Sequence, residues 1–406
     1  MGSRYTVRTV SMEAREVVPA LIDRRTGLPP ILPTRWIMRR RRQEVAVNTM
    51  KNDLYGIGEL YEWAQGGLSG IEESPYEFFG SGGTLSPRQL DALVDHVREK
   101  RYESKGVFYR RSHATTAVRL GSIELFLGWA SDPYDRGSRP YVPPGETEQY
   151  KRRLAKTMEP FKKSAESKRP DPLTPEQDAF LRELIGPVRD EEGCPLKPLR
   201  FSEKNPFYKS TRLRNWLVYL LLRELGLRRG EALKVTTNDL PRFHSGSIEI
   251  IRRPHDGRDT RSPRPRVKGI EGVCPANPLI MLGVKTYLTG MRHIGCRTKG
   301  THYLFTTRNG TPLSVRGCNA IFETIKENYP DRFDQLSPHV LRHTWAEEAA
   351  HDLIGNGSDE ESAINMLRKA GRWKKGSEQP VHYAQKAIEA EANKRLRDLH
   401  RTFYDT

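Results

Sequence analysis

Cysteine is scarce: Cys194, Cys274, Cys296 and Cys318 are scattered through 406 residues with neither zinc nor disulfide spacing. That excludes a disulfide scaffold and places the chain in a reducing cytoplasm. Long apolar runs are missing too. The longest, Trp216 to Leu222, falls far short of the roughly 20 residues a membrane span needs, and reads as a buried core helix. Behind the charges of the N-terminus there is no apolar segment of a secretory signal. No Walker loop occurs. Phe79-Gly80-Ser81-Gly82-Gly83 lacks the spacing and strand-to-helix context of a dinucleotide fingerprint, and His293 with Cys296 has no partner pair for zinc. Neither metal nor cofactor is expected. Positive charge is abundant: 68 Lys+Arg against 51 Asp+Glu give +17 at neutral pH. Such an excess on a water-soluble chain points to a polyanion, most commonly nucleic acid.

Length suggests two domains with extensions, because single cores rarely pass about 250 to 300 residues. The boundary is expected near residue 170, after a charged stretch and before Thr174-Pro175-Glu176-Gln177, an N-cap with Pro at the first helical position and a capping-box Gln. Residues 1–180 hold 29 basic and 24 acidic side chains, whereas 181–406 hold 39 and 27, so the second part carries most of the excess. An irregular opening over 1–43 ends in the run Arg39 to Arg42. Three- and four-residue apolar spacing at Val47, Met50, Leu54, Ile57, Tyr61 and Ala64 then predicts an amphipathic helix. Further helices at 86–97, 115–130 and 146–165 make a small all-helical bundle over 44–170. The second part, 171–406, mixes types: helices at 175–186 and 210–225, a strand at Ser247–Arg253, a short buried strand at Tyr303–Phe305, and helices from Val315 onward.

Four constellations carry chemistry. In Ser337-Pro338-His339-Val340-Leu341-Arg342-His343, Ser caps and Pro opens a helix, so His339 and Arg342 share one face near a terminus that attracts anions. That is a phosphate site. Arg228, just beyond the Gly226 break, is placed to grip two phosphate oxygens with its planar fork, and Glu231 three residues on to orient it. Between residues 252 and 268 stand Arg252, Arg253, Arg258, Arg261, Arg264, Arg266 and Lys268, a segment suited to tracking a nucleic-acid backbone and to supplying a general acid. Tyr383 follows Trp373 by ten residues; cationic neighbours would favour its phenolate as a nucleophile. Taken singly, each feature also fits a capped helix with solvated cations or ordinary packing.

In order, Arg228, Lys268, His339-x-x-Arg342, Trp373 and Tyr383 resemble the Arg, Lys, His-x-x-Arg, His/Trp, Tyr series of the tyrosine recombinases, the family of phage integrases and chromosome-dimer resolvases. GLRRGEAL resembles the first arginine box, PHVLRHT the second and HYAQ the nucleophile box, with Glu231 and His343 behind the reacting groups. The helical stretch VNTMKNDLYGIGELYEWA resembles the core-binding domain. The resemblance implies a mainly α fold with a small β-sheet, a SAM-like core-binding domain and an α+β catalytic domain forming a C-shaped clamp on DNA. It also implies the chemistry. Tyr383 attacks the scissile phosphate and forms a 3′-phosphotyrosine, Arg228 and Arg342 neutralise the non-bridging oxygens, Lys268 protonates the leaving 5′-oxygen, His339 manages the tyrosine proton, and Trp373 buttresses the site.

This chain departs from the family pattern at three places. Lys268 precedes Gly-Ile-Glu-Gly where the family often has Thr and another basic residue, leaving Arg266 and Arg264 as rivals; Ala370-Gly371-Arg372-Trp373 stands in place of Leu-Gly-His; and the segment from His351 to Met366 looks long, as an insertion at the rim would. The apolar stripe Ile388, Ala392, Leu396, Leu399 and Phe403 suits a C-terminal helix docked on a neighbour in a tetramer or on its own domain. The expected partners are double-stranded recombination sites, other copies of the chain, and accessory DNA-bending or directionality proteins. The expected process runs through a Holliday junction for a mobile element at the bacterial nucleoid. Arg39, Arg40, Arg41 and Arg42 would contact DNA from an N-terminal arm, and Arg252, Arg253, Arg264 and Arg266 from the catalytic domain. A topoisomerase-like or telomere-resolvase-like strand transferase, and a DNA-binding protein without catalysis, are the alternatives.

Overall fold

Where the sequence predicts an irregular basic extension over residues 1–43, the computed structural model shows a hairpin and a helix. It describes residues 3–12, 16–99, 101–104, 107–132, 144–163, 170–240, 246–253, 256–292 and 301–404. His293 and Cys296 lie outside these. Strands β1 (Tyr5–Ser11) and β2 (Val17–Asp23) pair antiparallel, Tyr5 opposite Asp23 and Ser11 opposite Val17. Helix α1 (Ile31–Arg42) follows and buries Trp36 against Phe126 and Trp129, at ring separations of 6.2 and 5.3 Å. The arginine run is therefore the last turn of a packed helix, where cations complement the helix dipole. Arg40 bonds Asp53 at 2.9 Å and Arg41 bonds Glu16 at 2.9 Å, while Arg42 is exposed.

The chain divides into two compact units, Met1–Arg169 and Pro170–Thr406. In the first, α2 (Val47–Ala64), α3 (Pro75–Ser81), α4 (Pro87–Glu99), α5 (His113–Ala130) and α6 (Pro144–Lys163) surround one core containing Leu54, Ile57, Leu90, Ile123, Phe126 and Leu154. A second hairpin, β3 (Arg101–Ser104) with β4 (Val107–Arg110), also departs from the all-helical expectation. Charge is spent inside this unit. Glu59 on α2 receives both terminal nitrogens of buried Arg111 at 2.6 Å, and Asp23 receives Arg4, Tyr76 and the Arg25 amide. These bonds, Arg4 foremost, hold the Asp23 carboxyl well below the usual carboxylate range against the opposing effect of burial.

The second unit begins with α7 (Pro175–Ile185), whose Thr174 side chain accepts from Gln177 N–H and whose Gln177 side chain returns a bond to the Thr174 amide. Helix α8 (Lys209–Arg223) is buried almost all round and forms the centre of the core. Short α9 (Arg229–Lys234) follows, then β5 (Ser247–Ile250) and β6 (Gly272–Pro275) in antiparallel register, Ile248 opposite Cys274. The strand predicted to Arg253 stops at Ile250, because Arg253 turns away to bind Asp239. Tyr303–Phe305 is buried as expected but makes only isolated bridges, Thr236 to Tyr303 and Thr306 to Pro312, on either side. Helices α10 (Pro278–Thr286), α11 (Val315–Asn328), α12 (Pro338–Gly355), α13 (Glu360–Ala370) and α14 (Gln379–Tyr404) complete the unit. The stretch from His351 to Met366, read from sequence as an insertion, continues α12 and α13 with a short turn between them. Ala346, Ala350, Ala384 and Ala387 let α12 and α14 approach closely around Trp373 and Tyr383. No helix among the described residues is long and apolar enough to cross a membrane.

Candidate active site

At the end of α8 the chain reverses through Gly226, whose φ of +55° suits glycine and where a Cβ would collide with the Trp345 ring. This reversal delivers Arg228 to the N-cap of α9. One turn later the fully buried Glu231 accepts the Arg228 amide at 3.0 Å and its guanidinium at 3.0 Å. Two more guanidiniums converge on that carboxylate, Arg372 at 3.2 Å and Arg342 at 3.9 Å. Among the described residues, three cations around one anion leave two positive charges unbalanced. The Arg228 side chain is 26% exposed, whereas those of Arg342 and Arg372 are buried. Arg342 donates to the Gly371 carbonyl at 2.6 Å and to the Gly226 carbonyl, which fixes its plane. Burial, then the charge of Arg228, pulls its pKa down to about 9, so it stays cationic at neutral pH.

Trp373 lies against both catalytic candidates on the cationic side: its ring is 4.6 Å from the Arg342 guanidinium carbon and 5.9 Å from that of Arg228. Its other neighbours are Trp345 at 6.2 Å and Tyr383 at 6.0 Å between ring centres. Tyr383, one turn into α14, is buried, and its hydroxyl hydrogen-bonds Nδ1 of His343. On the far side of the same imidazole, Nε2 of His343 is 2.9 Å from Nε2 of His339. The predicted tyrosine partner, His339, thus sits one ring further out and is exposed.

Lys268 is exposed on the long connection between β5 and β6. Its neighbour Gly269 is pressed on the cluster: a Cβ there would meet Glu231 Oε1 at 2.6 Å and Arg228 Nη1 at 2.8 Å. Next along, the Ile270 amide donates to the Arg372 carbonyl at 3.1 Å. The base of this connection is a buried ionic cluster, with Lys234 at 2.8 Å and Arg261 at 2.7 Å from Asp259. Among the proposed DNA contacts, Arg253 is tied to Asp239 and Arg264 donates to the Asp259 carbonyl at 3.0 Å, while Arg252 and Arg266 are exposed.

Sequence reasoning passed over Arg372 and placed His343 only behind the reacting groups. Arg372 adopts φ +53°, unusual for a side chain with a Cβ, and holds Glu231, the Ala370 carbonyl and the Cys274 sulfur. Its only signal was adjacency to Trp373. His343 was visible beside Arg342, but its contact with Tyr383 depends on how α14 crosses α12.

Residues 199–388 match the model of the phage integrase family. No curated protein matches the chain. Among solved structures, a XerH site-specific recombinase bound to difH substrate in a pre-cleavage complex is 15% identical, covering 90% of this chain and 84% of that one, with a TM-score of 0.51. The Tn1549 transposon integrase in complex with circular intermediate DNA is 15% identical over 89% of this chain and 99% of that one, with a TM-score of 0.49. The likeness to XerH is one of fold.

Proposed function

Because residues 199–388 belong to the phage integrase family, whose members cleave and rejoin DNA, we propose that this chain is a site-specific recombinase with Tyr383 as its nucleophile. One observation carries the residue assignment: the Tyr383 hydroxyl, bonded to an imidazole, shares the Trp373 ring with the unbalanced Arg228–Arg342 pair. A phosphodiester held by those guanidiniums offers phosphorus to the phenolic oxygen. Charge developing on the non-bridging oxygens is met by donors already fixed by Glu231 and by the Gly226 and Gly371 carbonyls, so little reorganisation is needed. The P–O bond to the 5′-oxygen breaks, and Lys268, carried beside the cluster by Gly269, gives that oxygen its proton. Attack by a 5′-hydroxyl of a second strand reverses the step and conserves the phosphodiester. Exchange of two strand pairs in turn passes through a Holliday junction, and a tetramer on paired sites supplies the four tyrosines.

Covalent trapping tests this. Nicked suicide duplexes taken from DNA flanking the gene are mixed with the protein, denatured in SDS and resolved. The wild type forms a protein–DNA band, and Tyr383→Phe binds the duplex without forming one. A band that survives Tyr383→Phe refutes the assignment. On the same substrate Arg342→Ala slows cleavage by about 10²- to 10³-fold, the usual loss for one preorganised donor to the reacting phosphate.

A further inference from the structure

Two imidazoles stand in series between the tyrosine and solvent. Resting on the nucleophile assigned above, we propose that His343, rather than His339, accepts the proton from Tyr383, and that His339 passes it to water. Tyr383 and His343 are each 4% exposed, and the alanine-lined contact of α12 with α14 walls them in. His339, one helical turn before His343, is exposed, with its Nε2 at 2.9 Å from His343 Nε2 and the two rings 4.2 Å apart. His343 touches the reacting oxygen directly, through Nδ1. Other groups facing it are His382, whose ring is 6.0 Å from that of Tyr383, and the Arg342 guanidinium, whose charge is felt at Tyr383. The Glu347–Lys386 ion pair links the same two helices.

The proton balance is simple. His343 begins with its proton on Nε2 and a lone pair on Nδ1. As the phenolic oxygen bonds phosphorus, its proton moves to Nδ1, the Nε2 proton moves to His339 Nε2, and His339 releases its Nδ1 proton to water. The leaving 5′-oxygen takes a separate proton from the loop acid. In the rejoining step the relay runs backwards and returns a proton to the tyrosine.

The test is single-turnover cleavage against pH, on the suicide duplex and on the same duplex carrying a 5′-bridging phosphorothiolate at the site defined by sequencing the wild-type adduct. A sulfur leaving group needs no protonation, so it separates the two ends of the reaction. His343→Asn keeps a hydrogen-bonding atom near the Nδ1 position and takes no proton. Expected is a 10²- to 10⁴-fold slower cleavage on both substrates, with the deficit shrinking as pH rises toward tyrosine ionisation near about 10 and with DNA binding retained. His339→Ala loses less, and added imidazole restores it, because its site is open to solvent. Lys268→Ala, by contrast, is rescued by sulfur. The relay is overturned by wild-type cleavage in His343→Asn, by rescue of that variant with sulfur, or by a deficit that is uniform across pH. Should His343→Asn fail to fold, judged by its melting curve, the exposed His339→Ala decides alone: absence of imidazole rescue overturns the relay. A Tyr383-independent adduct would instead remove the nucleophile assignment on which it rests.

Discussion

Glu231 is a single buried carboxylate facing three guanidiniums, and its removal leaves cations in low dielectric with no counter-charge. Glu231→Ala should cost about 3 to 5 kcal/mol, read as a lower urea midpoint, and should disorder Arg228. Gly226→Ala forces a left-handed residue and a collision with Trp345, and should lower stability by about 3 kcal/mol in the same assay. Among the motif residues, Arg228, Arg342, Trp373 and Tyr383 stand together in space; taken singly they fit ordinary packing, and it was the resemblance of the ordered series to the tyrosine recombinases that singled them out. Arg372 did not announce itself. It is one base among 68 Lys+Arg, and what distinguishes it, a left-handed backbone and a bond to a carboxylate far away in sequence, is tertiary. His343 illustrates the same limit: it lies one helical turn from His339 on the same face of α12, and only the crossing of α14 decides which imidazole meets the hydroxyl.

At the level of elements, the β5–β6 connection is held from below by ions. Burial works to raise the Asp259 carboxyl, yet Arg261 and Lys234 outweigh it and bring its pKa to about 2. A folded-state value below the unfolded one of about 3.9 means that the stabilisation is complete above the latter and is lost as pH falls toward the former. The stability gap between wild type and Asp259→Asn should therefore shrink by about 2 kcal/mol from pH 5 to pH 2, measured by urea unfolding at each pH. Elements whose signals are local were readable: α7 from its reciprocal Thr174–Gln177 cap, α2 from its apolar period, α12 from Ser337 and Pro338. The β1–β2 hairpin was not, because Pro19 interrupts the second strand and its buried Asp23 is satisfied by Arg4 and Tyr76 from outside the pair. Likewise the end of β5 was set by Asp239, a partner fourteen residues away.

For the whole molecule, the net charge of +17 predicts DNA binding dominated by phosphate contacts. Six to ten such contacts would lower affinity by about 10³- to 10⁵-fold between 50 and 200 mM salt, measured by fluorescence anisotropy; a flat profile would speak against backbone binding. Charge count alone overstates the available surface, since Arg4, Arg40, Arg111, Arg223, Arg253 and Arg261 are tied to internal carboxylates. The two unbalanced charges around Glu231 have a further meaning in thermodynamic linkage. Repulsion among Arg228, Arg342 and Arg372 is strain that an oxyanion relieves in the native state and cannot relieve in the unfolded chain, so any tetrahedral anion that fits should raise the melting temperature. At about a hundred times its dissociation constant, sulfate would add about 2.7 kcal/mol beyond chloride of equal ionic strength, and Arg342→Ala would forfeit the gain. The scissile phosphate would then be more than a substrate: while docked, it serves as a structural counter-ion that tightens the very site cutting it.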